Sequence, residues 1–173
     1  MTGANGSGKT TLLRMLAGLT APEVGEIHWQ GKRVGSFDPE LRAAVAFSGH
    51  LPALKDGLTA EENLASLVAL EGPALSRKAI GEALDNVALS RQRGLPARVL
   101  SQGQRRRIGL ARLSLISRPL WLLDEPLTAL DAAGAELLAR LLTAHLAKGG
   151  LVVAATHAPL GLGGARVAAL VLG

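Results

Sequence analysis

The chain has 173 residues, which is enough for one hydrophobic core with a small subdomain and too short for two full domains. Its composition, 48% hydrophobic and 19% charged, is typical of a folded protein and excludes a disordered one. The 19 Lys and Arg outnumber the 14 Asp and Glu, and the net charge of +5 favours anionic partners. Cysteine is absent, which excludes disulfides and thiolate metal sites, and the 2% of aromatic residues disfavours single-strand nucleic-acid binding.

The predicted elements of the first third are a helix, a hairpin and a strand. Residues 9–19 carry leucines and a methionine at helical spacing, which predicts an amphipathic helix. Residues 25–34 alternate apolar and polar side chains around Gly31, which predicts a short hairpin. The apolar run at residues 43–48 predicts a strand.

The segment from about residue 51 to residue 98 is predicted to be a small helical subdomain inserted into a single domain that spans residues 1–173. Thr59 and Glu62 have the spacing of a capping box, so a helix is expected to begin at Ala60. Glycine and proline recur later in the segment and divide it into short pieces.

The rest of the chain alternates helices with apolar strands. Helices are predicted at residues 102–116 and after Asp131, which is placed to cap the second of them. Strands are predicted at residues 120–124, 151–156 and 166–172. Apolar strands that alternate with helices indicate an α/β fold, with a mainly parallel sheet covered by helices. No apolar run of about 18 residues or more occurs, so no segment is expected to span a bilayer.

The stretch GANGSGKT fits the phosphate-binding pattern G-x-x-x-x-G-K-[ST]. Its glycines let successive backbone N–H groups point at one anion, and the helix that follows adds its positive end. Lys9 supplies a full charge toward the β- and γ-phosphates of ATP, and the Thr10 hydroxyl can hold Mg²⁺. The alternative, a glycine turn before an ordinary helix, rarely also places Lys and Thr correctly. The candidate nucleotide-binding residues here are Gly3, Ala4, Asn5, Gly6, Ser7, Gly8, Lys9, Thr10 and Thr11.

A second candidate group follows the predicted strand LWLLD. Asp124 ends this strand, where ligands collect in open α/β sheets, and it is a candidate ligand of Mg²⁺ together with Thr10. Glu125 is a candidate catalytic residue that orients the attacking water. An Asp-Glu-Pro turn alone is as often a simple helix cap, and the phosphate-binding loop in the same chain favours the catalytic interpretation.

The stretch LSQGQRRRIGLAR resembles the signature motif of ATP-binding-cassette ATPases. Ser101 and Gly103 lie where a helix begins, with N–H groups and a hydroxyl directed toward an anion. The resemblance implies a P-loop NTPase fold, ATP hydrolysis, and a homodimer in which this helix end meets the γ-phosphate held by a second protomer. The family usually has glycine at the position of Gln102. The three consecutive arginines are interpreted mainly as a solvated basic face.

Three further stretches are similar to family motifs and follow in the same order. LTALD resembles the D-loop, which implies that Asp131 caps its helix and reaches toward the dimer interface. ATH resembles the H-loop, which makes His157 a candidate catalytic residue on the γ-phosphate. His50 stands where such ATPases usually carry a glutamine that touches Mg²⁺, and an imidazole there would add a pH dependence.

The stretches GEIHWQG, LKDGLTAEENL and THAPLGLGGAR, together with His50, resemble the ATP-binding subunits of cytochrome c biogenesis haem exporters. This resemblance implies a peripheral subunit on the cytoplasmic face of the bacterial inner membrane, bound to integral membrane subunits. Its ATP hydrolysis would move haem or free a haem-loaded chaperone. Neither direct haem binding nor nucleic-acid binding is expected.

Proteins of this class have a strand before the glycine loop and, earlier, an aromatic residue that stacks on adenine. The sequence shows neither, so the chain is expected to be amino-terminally short and to bind ATP about tenfold more weakly for lack of stacking. Three alternatives remain open: the ATPase of another transporter, a cassette ATPase acting on DNA or ribosomes, and a regulatory subunit that does not hydrolyse ATP.

Overall fold

The computed structural model describes residues 1–50, 52–72, 75–164 and 166–173. The chain divides into two compact units. The first unit contains Met1–His50, Arg118–Pro126 and Leu142–Gly173, and the second contains Leu51–Ser117 and Leu127–Leu141.

The first unit contains the strands, and helices connect them. Its elements are β1 (Thr2–Gly3), α1 (Lys9–Leu16), β2 (Ile27–Trp29), β3 (Lys32–Val34), α2 (Pro39–Ala44), β4 (Val45–Ser48), β5 (Leu120–Asp124), β6 (Leu151–Ala155) and β7 (Val171–Leu172). Strands β2 and β3 form the predicted antiparallel hairpin. Its turn at Gln30 and Gly31 has positive φ at both positions, as two-residue hairpin loops require.

The parallel sheet of the first unit carries the order β4-β5-β6, with β5 buried along its whole length. Strand β1 pairs in parallel with β7. The Met1 amino group donates to the Ala154 carbonyl at 2.6 Å, and the Met1 carbonyl accepts from the Thr156 N–H at 3.1 Å. These bonds link the residue before β1 to the end of β6. The parallel pairing of β4, β5 and β6 confirms the predicted parallel sheet.

Helix α1 packs against this sheet through an apolar cluster. Leu13 of α1 and Leu122 of β5 are both fully buried in it, beside Leu41 and Ala155. Burying one leucine side chain stabilises the fold by about 1.5–3 kcal/mol, so this contact fixes the start of α1 beside the sheet.

Several predicted boundaries differ from the structure. Helix α1 ends at Leu16 instead of residue 19, and β4 begins at Val45 instead of residue 43 because residues 43–44 belong to α2. The last strand covers only Val171–Leu172 instead of residues 166–172, because its partner β1 is itself two residues long. Helix α2 was not predicted, although Asp38 caps it by accepting from the Leu41 N–H at 3.0 Å and Pro39 opens it.

The second unit is helical in the described residues. Its elements are α3 (Ala60–Ala69), α4 (Arg77–Asn86), the short 3₁₀ turns Ser90–Gln92 and Ala97–Val99, α5 (Gln102–Leu115) and the beginning of α6 (Ala132–Ala147). Helices α3, α4 and α5 pack on one another around Leu64, Ile80, Leu84 and Ile108, all of them buried.

The predicted capping box at the start of α3 is present. The Thr59 hydroxyl accepts from the Glu62 N–H at 3.2 Å, and the Thr59 N–H donates to the Glu62 carboxylate at 2.8 Å. Helix α3 therefore begins at Ala60, as the sequence pattern indicates.

Candidate active site

The glycine loop between β1 and α1 needs glycine at two positions for different reasons. Gly8 caps α1 with φ of +90°, a left-handed conformation that side chains rarely adopt. A Cβ on Gly3 would lie 2.4 Å from the Leu172 carbonyl oxygen, so β7 leaves no room for one. The loop backbone is thus held close to the sheet at one end and to the helix start at the other.

Lys9 is the buried cation of this loop, with 8% of its surface exposed. Its ammonium group donates to the Gly3 carbonyl at 2.7 Å and to the Ala4 carbonyl at 2.9 Å. No acidic side chain among the described residues forms an ion pair with it. An ammonium group has three hydrogens, and a buried charge is costly without a counter-charge, so the loop is suited to an anion.

Ser7 adds a buried polar group to the same loop. Its hydroxyl is buried and has no hydrogen-bond partner in the described part of the chain. An unpaired buried donor costs about 1–3 kcal/mol, which an acceptor-rich ligand such as phosphate can offset. The other loop residues, Ala4, Asn5, Gly6, Thr10 and Thr11, are exposed.

Two side-chain oxygen atoms that could ligate a metal ion lie beside the loop. The Thr10 hydroxyl donates to the Asp124 carboxylate at 2.8 Å, and Asp124, at the end of β5, is 3% exposed. Magnesium prefers hard oxygen ligands and is commonly held by one or two carboxylates plus substrate phosphates. The pair therefore fits a magnesium ion that reaches a phosphate in the glycine loop.

The two candidate catalytic side chains follow neighbouring strands and contact each other. His157 Nε2 lies 3.3 Å from Glu125 Oε1. The Glu125 N–H donates to the Ala155 carbonyl at 2.9 Å, and its φ of +46° is left-handed, which costs about 1–2 kcal/mol for a side-chain residue. The bond to β6 and the strained backbone hold the carboxylate beside the imidazole.

The first unit therefore collects its candidate residues at one edge of the sheet. Asp124 and Glu125 follow β5, His157 follows β6, and parallel strands end at the same edge. His50 lies two residues beyond β4, at the same edge, and is exposed. His145, which the sequence did not support as a site residue, stacks on Trp121 with ring centroids 4.0 Å apart.

The second unit presents its candidate residues at the beginning of α5. Ser101 caps this helix: its hydroxyl accepts from the Gln104 N–H at 3.2 Å, and its N–H donates to the Gln104 amide at 2.9 Å. A Cβ on Gly103 would lie 2.9 Å from the Ala129 carbonyl, so Gly103 packs directly on the segment before α6. The exposed serine and this glycine leave the helix end open to a ligand.

Asp131 caps α6 and also pairs with α5. It accepts from the Gly134 N–H at 2.8 Å and from the Arg107 guanidinium at 2.7 Å. The Arg107 hydrogen bond, followed by that of the Gly134 N–H, lowers the pKa of the Asp131 carboxyl below its ordinary value. The expectation that Asp131 caps its helix agrees with this geometry.

The arginine run does not form a solvated basic face. Arg106 is 4% exposed, Arg105 pairs with Asp56 at 2.6 Å, and Arg107 pairs with Asp131. Helices α3 and α4 both pack on α5, so most directions around α5 are occupied. Sequence reasoning missed the role of Arg107 because the pattern does not show which neighbours a helix has.

Comparison with known proteins places these features in a family. Residues 1–128 match the family described as ABC transporter. The chain belongs to the ABC transporter family. Its ABC ATPase cassette binds nucleotide and hydrolyses ATP.

The chain is similar to "Cytochrome c biogenesis ATP-binding export protein CcmA" of Nitrosomonas europaea, with 48% identity over 98% of this chain and 80% of the relative. The protein of the same name from Aromatoleum aromaticum is 51% identical over 90% of this chain and 73% of the relative. Among ABC structures, a dimeric ATP-binding cassette in a post-hydrolysis state, bound to ADP and Pi, matches with a TM-score of 0.79 and 31% identity. That match covers 91% of this chain and 73% of the solved one.

Among the described residues of this ABC protein, none of the helices combines the length and the apolar character that crossing a membrane requires.

Proposed function

We propose that this ABC ATPase powers an exporter of cytochrome c biogenesis, by moving haem or releasing a haem-loaded chaperone. The name of the Nitrosomonas europaea relative, whose match covers 98% of this chain, supports this role. The observation that best supports ATP hydrolysis is a pair of contacts at one edge of the sheet: Thr10 bonds to Asp124, and His157 lies beside Glu125.

Binding of ATP begins at the glycine loop. The Lys9 ammonium has two backbone acceptors and one hydrogen left for a phosphate oxygen. The positive end of α1 and the loop N–H groups add to its attraction for the β- and γ-phosphates. The buried Ser7 hydroxyl gains an acceptor in the same step.

Thr10 and Asp124 would hold Mg²⁺ through oxygen. Bound there, the ion neutralises charge that develops on the transferred phosphoryl group. Asp124 is buried at the end of β5, so its carboxylate is fixed before the substrate arrives.

Glu125 and His157 act on the attacking water and the γ-phosphate. The Glu125 carboxylate accepts a hydrogen bond from the water and orients it for attack. His157, 3.3 Å away, holds this carboxylate in place and donates to the γ-phosphate. His50, two residues beyond the neighbouring strand β4, is assigned to contact with the magnesium ion.

The active form is a homodimer, in which Ser101, Gly103 and Asp131 of one copy approach the triphosphate held by the other. The exposed helix end at Ser101 supports this arrangement, and a solved relative is itself a dimer with ADP and Pi. Membrane subunits of the exporter would bind this dimer at the cytoplasmic face. The chain is assigned no direct contact with haem or nucleic acid.

Complementation in cells tests this function. A bacterium that lacks its own cytochrome c biogenesis ATPase is given the wild-type chain, Glu125→Gln, or Glu136→Gln as a control. Glu136 lies exposed on α6 and, within the part of the chain that the structure describes, pairs with Arg140 alone, at 3.1 Å. Haem-stained c-type cytochromes are expected with the wild type and with E136Q, and none with E125Q.

Two outcomes would contradict the proposal in different ways. Cytochromes restored by E125Q would show that hydrolysis at Glu125 is not needed. A wild-type chain that is expressed and hydrolyses ATP without restoring cytochromes would belong to another transporter.

A further inference from the structure

Arg107 is a nearly enclosed arginine with two partners on different segments of the second unit. Its side chain is 15% exposed. The guanidinium donates to the Asp131 carboxylate at 2.7 Å and to the Val87 carbonyl, at the end of α4, at 3.4 Å. The planar group thus joins α5 to the segment before α6 and to the end of α4.

The segment at residues 127–131 touches α5 at a second point. Gly103 lies four residues before Arg107, hence on the same face of the helix, and packs against the Ala129 carbonyl. Ala129 has a left-handed φ of +63°. Two contacts one turn apart fix this strained segment along α5.

Asp131 is in turn tied to α6. Its carboxylate accepts from the Gly134 N–H at 2.8 Å, and a Cβ on Gly134 would lie 2.9 Å from the same oxygen atom. The lowered pKa of Asp131 agrees with a carboxylate that stays charged between these donors. One carboxylate therefore connects the beginning of α6 to the arginine of α5.

We propose that Arg107 is a positioning residue for ATP hydrolysis, which acts by holding the segment at residues 127–131 on α5. Ser101 and Asp131 are then presented as one rigid surface to the nucleotide of the second copy. This inference rests on the proposed dimeric function. In this proposal Arg107 acts through its hydrogen bond to Asp131 and not by contact with the nucleotide.

Hydrogen exchange on the isolated chain tests the positioning. In Arg107→Ala, the amides of Gly134 and Ala135 are expected to exchange at least about tenfold faster than in the wild type, because opening of this turn no longer breaks the Arg107 bond. Arg98→Ala is the matched control, since Arg98 is exposed and forms no ion pair among the described residues. If R107A does not fold, Arg107→Lys, which keeps the charge without the planar fork, replaces it. Unchanged exchange in the folded variant would overturn the proposal.

Turnover measurements test the consequence for hydrolysis. R107A is expected to lower kcat at least about tenfold while the Kd for ATP stays unchanged, because the residues of the glycine loop are intact. R98A should keep wild-type kcat. Asp131→Ala removes the same ion pair together with the bond to the Gly134 N–H, so the loss of kcat in the double variant should be smaller than the product of the two single losses.

The result against the proposal is a double variant whose losses in kcat multiply, or an R107A protein with wild-type kcat. A wild-type chain that hydrolyses no ATP would contradict the proposed function instead. In that case the hydrogen-exchange experiment alone would test whether Arg107 holds residues 127–131 on α5.

Discussion

Lys9 combines a full positive charge with burial, and its two hydrogen bonds go to neutral carbonyl groups. Charge-assisted hydrogen bonds are worth about 1.5–3 kcal/mol each, so Lys9→Ala should weaken ATP binding by roughly 100-fold. Isothermal titration calorimetry with ATP measures the change. Lys148→Ala, an exposed lysine of the same unit, should bind as the wild type does. An unchanged Kd in K9A would remove Lys9 from the site.

His157 differs from Lys9 because it contacts the Glu125 carboxylate, which we propose to be catalytic. His157→Ala should lower kcat at least about tenfold with little change in KM, since it removes an interaction of the transition state. Steady-state phosphate release measures both constants. His28→Ala is the control, because His28 is exposed on the hairpin and contacts Glu26. A raised KM at unchanged kcat would make His157 a binding residue only.

Single residues were predictable where the chemistry is local in sequence. The spacing of glycines, Lys9 and Thr10 defines the loop by itself, because neighbouring residues build it. The contact between Glu125 and His157 could not be predicted from the sequence, since it requires β5 and β6 to be adjacent. The partners of Arg107 could not be predicted for the same reason, because they lie on other segments that only tertiary packing brings close.

At the scale of elements, Asp131 links the stability of the α6 start to pH. Its folded pKa lies below the ordinary value of 3.8, so its contribution is present above 3.8 and is lost as pH falls through the folded value. Asp131→Asn still caps the helix but carries no charge. The difference in Tm between wild type and D131N should therefore be constant near neutral pH and should shrink below pH 3.8. A constant difference down to acid unfolding would contradict the ion pair.

Asn63 fixes the loop that enters α3. This side chain is 2% exposed, accepts from the Lys55 N–H at 2.8 Å and lies 3.0 Å from the carbonyls of Lys55, Leu58 and Thr59. Asn63→Ala removes all the hydrogen bonds of this buried side chain, including the acceptor of the Lys55 N–H, and should lower the free energy of unfolding by about 3 kcal/mol. Urea denaturation measures it. Asn86→Ala, at the exposed end of α4, should cost less than about 0.5 kcal/mol; equal losses would contradict the role of Asn63.

The helices and strands themselves were largely predictable because capping and apolar runs are short-range signals. The α3 capping box and the buried strand Leu120–Asp124 lie where the sequence placed them. Helix α2 was overlooked between two apolar runs, although Asp38 and Pro39 carried its signal. The length of β7 depends on β1, which a local pattern does not report.

At the scale of the whole molecule, parallel strands bring residues from distant parts of the sequence to one edge. Thr10 and Asp124 are 114 positions apart and yet share a hydrogen bond of 2.8 Å. The alternation of strands and helices predicted the parallel sheet. The same alternation could not predict that the chain divides into two units with Leu127–Leu141 in the second, because this division depends on all the tertiary contacts together.

We propose that two copies of this ABC ATPase enclose two ATP molecules between the glycine loop of one and the α5 end of the other. Sedimentation of Glu125→Gln with Mg²⁺ and ATP is the most direct test, because this variant should bind ATP without consuming it. We expect a species of twice the monomer mass with two bound ATP, which returns to monomer when ATP is removed. A protein that binds ATP and stays monomeric at every concentration would show that the nucleotide is not enclosed between two copies.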